Sequence, residues 1–259
     1  MATFGAKSGL LMFVIVSFLI CLSTTADCPS FRKFFSKCDK DSPKFDDCLL
    51  KALNKAKSCY EHGDPSLSIP ALEPLRYGDL IPPVKGYIPG HFITLNMTLP
   101  NITEWGWLNS TYTKVKTDFN KRKLVVYQTV PLKHVDTGIS VSGSILGLPF
   151  EERNGYVLMD FIGVKQRFTI EMAPDSDELK VHLLIYSVKK VTLSFYNLFY
   201  DPFVERLTNV MLERYWHLVW NSFKTSGHAL SDGAKTQLGN TLYKMIDLEN
   251  LFKPLPNES

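Results

Sequence analysis

Charge blocks, long hydrophobic runs and catalytic signatures are all scarce in this chain. The 29 Lys and Arg nearly balance the 26 Asp and Glu, leaving a formal charge of +3 over 259 residues. Without a Lys/Arg block there is no electrostatic footprint for nucleic acid. After Leu22 no stretch is apolar for long enough to span a bilayer, so the mature chain is expected to be soluble, without stable membrane insertion. No His-Glu-x-x-His, phosphate-binding loop, dinucleotide glycine pattern or Cys-x-x-Cys occurs, and no metal or cofactor is expected. The nearest thing to a nucleophile elbow, Gly138-Ile139-Ser140-Val141-Ser142, lacks its second glycine and falls in a strand-like run. The six histidines are scattered, and Glu151-Glu152 flanks an expected turn. These absences argue against an enzyme. What the chain does hold is a globular composition, 45% hydrophobic and 12% aromatic, suited to a large core or an apolar cavity.

The N-terminal 26 residues read as a signal peptide. Lys7 supplies the positive start, Leu10 to Leu22 a thirteen-residue apolar run, and Thr24 and Ala26 the small residues before a cut at Asp27. Thirteen helical residues reach about 20 Å, short of a hydrocarbon core of about 30 Å. The expectation is export to extracellular fluid, haemolymph or another, with residues 27–259 forming a single domain. Cys21 leaves with the leader, so four cysteines remain: Cys28, Cys38, Cys48 and Cys59. In an oxidising compartment they read as two disulfides, in any of three connectivities. A zinc site competes poorly, because only His62 lies near them in sequence. Sequons at Asn96, Asn101 and Asn109 fall within sixteen residues, which predicts an exposed, glycosylated stretch. A fourth, at Asn257, ends the chain.

Residues 43–60 have helical spacing, with Ser42 placed to cap and Pro43 at the first helical position. The proline-rich stretch from Pro65 to Pro89 suits extended pieces and turns. From about Phe92 to Phe199 the hydrophobic period becomes two, in eight strand-like runs. Turns are expected at Asn120-Lys121, Asn154-Gly155, Pro174-Asp175 and Lys189-Lys190. Strands following strands, with no helix between, predict an antiparallel sheet. Between Pro202 and Lys224 the polar residues form one narrow stripe, Glu205, Asn209, Glu213, His217, Asn221 and Lys224, and the rest of the surface is apolar. So wide an apolar face exceeds what a flat sheet covers and predicts a curved sheet wrapped around a long helix.

Several segments together resemble the takeout and juvenile-hormone-binding proteins of insects. They are Cys38-Asp39-Lys40-Asp41-Ser42-Pro43, Asp46-Asp47-Cys48-Leu49, Ser68-Ile69-Pro70-Ala71-Leu72-Glu73-Pro74-Leu75, Phe195-Tyr196-Asn197-Leu198-Phe199 and Leu251-Phe252-Lys253-Pro254. Where many members read Leu-Asn-x-Asn-Trp on the long helix, this chain reads Leu212-Glu213-Arg214-Tyr215-Trp216. The resemblance implies an α+β super-roll of the tubular lipid-binding type, enclosing an apolar tunnel, and a secreted carrier of isoprenoid hormones, fatty acids or similar lipophiles. It also implies a Cys38–Cys48 bridge, leaving Cys28 and Cys59 for a second. On that frame the expected tunnel-lining residues on the strands are Phe92, Val125, Tyr127, Ile145, Tyr156, Leu158, Phe168, Leu183, Ile185 and Phe195. On the helix they are Leu207, Met211, Trp216 and Trp220. The expected partner is a small hydrophobic ligand, and no feature identifies a receptor. The competing reading is an interaction module acting on a membrane surface or receptor with no bound lipophile.

Overall fold

The structure, a computed structural model, describes residues 30–88, 93–145, 147–172 and 178–245. The leader, Cys28, Phe92, the Pro174-Asp175 turn and the closing segment with Asn257 lie outside them.

Two short helices come first, α1 (Arg32–Phe35) and α2 (Phe45–Ala56). On α2, Phe45, Leu49, Ala52 and Ala56 recur at helical spacing and are buried. It starts at Phe45, later than the sequence suggested, because the Ser42 hydroxyl takes the Lys44 N–H at 3.2 Å and closes the turn before the helix. Cys38 and Cys48 form the disulfide that ties the preceding loop to α2. Cys59 is also disulfide-bonded, and its partner lies outside the described residues.

Nine strands follow among the described residues: β1 (Leu75–Arg76), β2 (Val84–Ile88), β3 (Ile93–Leu99), β4 (Thr103–Trp105), β5 (Thr111–Asp118), β6 (Lys123–Ile145), β7 (Leu148–Met172), β8 (Leu179–Ser187) and β9 (Lys190–Tyr196). All pairings are antiparallel. The spine is one hairpin, β6 with β7, 23 and 25 residues long. β3, β4 and β5 pair along the outer edge of β6, while β8 and β9 share that of β7. The sheet does not close. The expected turn at Asn154-Gly155 is instead mid-strand, with Gly155 opposite Ile139. A Cβ there would stand 2.8 Å from Tyr196 O and 2.9 Å from Leu198 N, so this glycine marks a close backbone approach rather than a reversal.

Inward positions slip by one residue halfway along the hairpin. On β6, Val126, Gln128 and Val130 are buried, then Lys133, Val135 and Ile139; on β7, Val157 precedes Val164, Gln166 and Phe168. Pro131 and Leu132 interrupt the first series and Ile162 and Gly163 the second, Gly163 at φ +64°. Each half of the hairpin therefore serves its own core. One core joins the N-terminal helices to Val126, Val164, Phe168, Leu183 and Ile185. The other gathers Leu75, Tyr77, Ile81, Val135, Val157, Ala234 and Leu238. Leu72, Trp107 and Phe161 touch both.

The C-terminal helical stretch is two helices, α3 (Pro202–Arg214) and α4 (Trp216–Met245), broken at Tyr215. Asp201 caps α3 by accepting the Phe203 N–H at 2.7 Å. Polar residues of the helices face the strand edges. Asn209 of α3 accepts the Phe195 N–H and donates to the Phe195 carbonyl, both at 2.9 Å. Asn240 of α4 does the same with Leu179 of β8, at 2.7 and 2.9 Å, and Asn54 of α2 with Tyr112 of β5, at 3.0 and 2.8 Å. Each carboxamide thus supplies the two bonds a neighbouring strand would make. Asp232, Thr236 and Asn240 run down β8, meeting Leu183, Val181 and Leu179 in turn. The match is geometric: four helical residues rise about 6 Å and two strand residues about 6.7 Å.

Candidate ligand-binding site

One groove lies where β8 ends and α4 begins. Ile185, Tyr186, Ser187, Val188, Trp216, His217 and Trp220 line about 330 Å³, the lower end of the range for small-molecule sites. Trp220 sits edge-on to Phe161, ring centroids 5.9 Å apart, so its indole is fixed against the first core while reaching the groove. A second hollow, about 380 Å³ between β9 and α3, is walled mainly by Thr192, Ser194, Glu205, Arg206, Asn209 and Glu213. Pro202 and Val210 complete its wall, so its lining mixes charged, polar and apolar groups.

The residues chosen from sequence fall into four groups. Ile185, Trp216 and Trp220 meet at the first groove. Phe168 and Leu183 belong to the adjoining core, Phe168 stacked on Trp107 at 5.9 Å, and Phe195 packs against the second core. Val125 and Tyr127 alternate with buried Val126 and Gln128, and Leu158 and Tyr156 with buried Val157, which puts all four on the other face of the hairpin. There Tyr156 is over a third exposed, and burial and a hydrogen bond to Asp136 push its phenol up to about 12. Leu207 and Met211 are half-exposed on α3. Phe92 and the Ile145 side chain lie outside what is described.

Sequence reasoning missed the charged group at the junction of the cores. Glu104 of β4 sits between Lys133 of β6 and Lys235 of α4, each 2.6 Å from one carboxylate oxygen, and all three are buried. Tyr77 donates to Glu104 at 2.6 Å, and Lys235 donates to the Tyr77 hydroxyl. Both ammonium groups stand over the Trp107 ring, at 5.6 and 5.0 Å. Burial works to raise the Glu104 carboxyl, but the two lysines outweigh it and hold it at about 2. Burial drags the Lys235 ammonium down to about 8 against the pull of Glu104. Nearby, Gln166 donates to Gln128 at 2.6 Å and Gln128 to Ser110 at 2.8 Å. No signal in the sequence separates these buried polar groups from surface ones.

Residues of the resembling segments have structural work. Glu73 accepts the backbone N–H groups of Gly106 and Leu108 at 2.9 Å each, fixing the loop after β4. Ser140, the serine of the elbow-like run, lies within β6 and donates to Glu152. Among the described residues no group of His, Cys, Asp and Glu is arranged to hold a metal, and no helix is long and apolar enough to cross a membrane.

The sequence model of the haemolymph juvenile hormone binding protein (JHBP) family matches residues 15–253. The chain belongs to that family. In structure, this JHBP-family chain is similar to Takeout 1 of Epiphyas postvittana, whose crystal structure aligns over 77% of this chain and 91% of that one. The TM-score is 0.50 at 16% identity, a likeness of fold: a large antiparallel sheet with helices. No curated protein matches the chain. JHBP-family membership makes this a binding protein of lipophile-carrier kind.

Proposed function

We propose that this JHBP-family protein is a secreted carrier of one small, elongated hydrophobic molecule, such as juvenile hormone, another terpenoid or a fatty acid. The observation that carries the reading is the meeting of Ile185, Trp216 and Trp220 around a groove backed by the first core. Water expels the ligand, and preformed aromatic walls accept it. Burying about 400 Å² of isoprenoid surface at about 25 cal/mol/Å² yields about 10 kcal/mol gross. Association costs at least about 4 kcal/mol, so burial alone supports micromolar affinity or weaker. The Trp216 indole N–H is the candidate donor for a polar end of the ligand.

The compartment belongs to the same proposal. The leader, the Cys38–Cys48 disulfide and the exposed sequon asparagines Asn96, Asn101 and Asn109 all suit an extracellular, glycosylated protein. Native mass spectrometry of the secreted, deglycosylated protein, followed by organic extraction, tests the carrier directly. A lipophile near one per chain is expected. A protein that is empty and also fails to take up a fluorescent fatty acid or terpenoid analogue refutes it.

A further inference from the structure

At the junction of the two cores the buried charges do not cancel. Among the described residues, Lys133 and Lys235 share one acid partner, Glu104, and all three side chains are buried. Tyr77 completes the group as a neutral phenol, because burial and the Glu104 carboxylate push it well up. Two cations and one anion leave one positive charge in excess away from water, an arrangement that costs free energy until a counter-charge meets it. Glu73 also keeps its charge, but it is half-buried and bound to the Gly106 and Leu108 N–H groups, and the charges acting on Lys235 are those of Glu104 and Lys133. A second, independent feature lies beside the group. Both ammonium groups stand over the Trp107 indole, whose buried Nε1–H has no acceptor among the described residues. The orphaned acceptor of the interior, Gln166 Oε1, belongs to the Gln128 row further along the hairpin.

We propose that this group seats the carboxylate of an acyl or isoprenoid acid, with Lys133, Lys235 and the Trp107 N–H as its donors. A carboxylate supplies the single negative charge that is missing, and it only accepts hydrogen bonds. Water or an ester carbonyl would satisfy the indole and leave the charge. A phosphate monoester would bring nearly two charges to a seat short of one. An apolar path leads outward for the tail: Phe161 stands directly opposite Lys133 on the hairpin, packs against both cores, and meets Trp220 of the groove at 5.9 Å. The inference rests on the carrier reading and narrows its ligand to a free acid, whose polar end lies here rather than at the Trp216 indole.

The test is competition on the full, delipidated secreted chain at pH 7, with palmitic acid and methyl palmitate each displacing the neutral dye Nile red. Wild type is expected to prefer the acid by at least about tenfold. Lys133→Met leaves Glu104 and Lys235 as a balanced pair. Its circular dichroism should hold, the ester should bind as before, and the preference for the acid should vanish. In protein carrying nitrogen-labelled tryptophan, palmitate should also shift the indole signal that Trp107→Phe removes, a readout that needs no lysine variant to fold. Equal displacement by acid and ester, or by neither, overturns the seat and keeps the carrier where Nile red is bound. No uptake of Nile red, acid or ester removes both readings. A preference that survives in folded Lys133→Met, or an unmoved Trp107 signal, overturns the seat, since the carboxylate would then be held elsewhere. Sodium acetate that raises the wild-type melting midpoint, with no preference of acid over ester, makes the group a site for free small carboxylates and overturns the lipophile.

Discussion

Replacing Glu104 by Gln should leave Lys133 and Lys235 facing each other across a neutral amide in the interior. In the native protein both ammonium groups lie 2.6 Å from its carboxylate, with side chains only 7% and 8% exposed. Removing one partner of so buried an arrangement costs about 3–5 kcal/mol. For a domain of this size that lowers the melting midpoint by about 10 °C. The pH dependence sharpens the test. Lys235 is already drawn down to about 8 by burial, with Glu104 resisting; without Glu104 it falls further. Between that lowered pKa and the unfolded value of about 10.4 the unfolded chain binds more protons, so stability climbs with pH by about 1.4 kcal/mol per unit. Wild type starts that climb only near pH 8, whereas the variant starts lower. The gap between them should therefore narrow by up to about 1.4 kcal/mol from pH 7 to pH 8. Adding Lys235→Met should restore part of the stability at pH 7 and remove the narrowing. Urea unfolding at the two pH values, with both variants, measures all of this. An unchanged midpoint at pH 7, or a gap constant between pH 7 and 8, would refute the electrostatic account.

On the acid side, the Glu104 carboxyl is held at about 2 in the fold. Its contribution is present above the unfolded value near 4.3 and is lost as pH falls toward 2. Glu104→Gln should flatten that part of the acid-unfolding curve. Asn240→Ala strips both bonds from Leu179 at the edge of β8. It should cost about 1–2 kcal/mol and speed hydrogen exchange first at the Leu179 amide. Gly155→Ala forces a Cβ against backbone atoms of Tyr196 and Leu198; a loss of about 1–3 kcal/mol is expected in thermal melts. Cys38→Ser with Cys48→Ser opens a link across a sequence separation of 10, worth about 3 kcal/mol in the chain-entropy model and read in thermal melts. Trp220→Ala should weaken uptake of a fluorescent lipophile at least about tenfold, read by titration, with far-UV circular dichroism confirming the fold.

Local pattern carried the sequence reading a long way, and its failures have physical causes. Phe45, Leu49, Ala52 and Ala56 announced α2 because one face of a helix repeats every three to four residues. The antiparallel sheet was legible from alternation and from the absence of intervening helices. Strand length was not: Gly155 looks like a turn until Leu198 is seen lying against it. Strand face was not either. Val125 and Tyr127 alternate as cleanly as Val126 and Gln128, and buried Gln128 and Lys133 carry the polarity expected of a solvent face. The slip at Pro131 and Gly163 then reverses the parity within a single strand. Glu205 and Asn209 read as a polar stripe because hydrophobic spacing does not reveal that α3 folds back on β9 and the Leu198 connection, whose free backbone groups they meet. Ile185, Trp216 and Trp220 came together because a large aromatic at a helix start and an aliphatic at a strand end meet wherever the two elements cross.

An open sheet with long strands exposes rows of unused donors and acceptors, and another chain can extend such rows without limit. The three asparagines give this fold a hem. Asn54, Asn209 and Asn240 each occupy both backbone groups of one residue, on β5, β9 and β8 in turn. On those three strands an incoming chain must first displace the helix that carries the asparagine. Side-chain amides thereby occupy backbone groups that another strand would need, and a helix that lifted to admit a ligand would expose the weaving edge at the same moment.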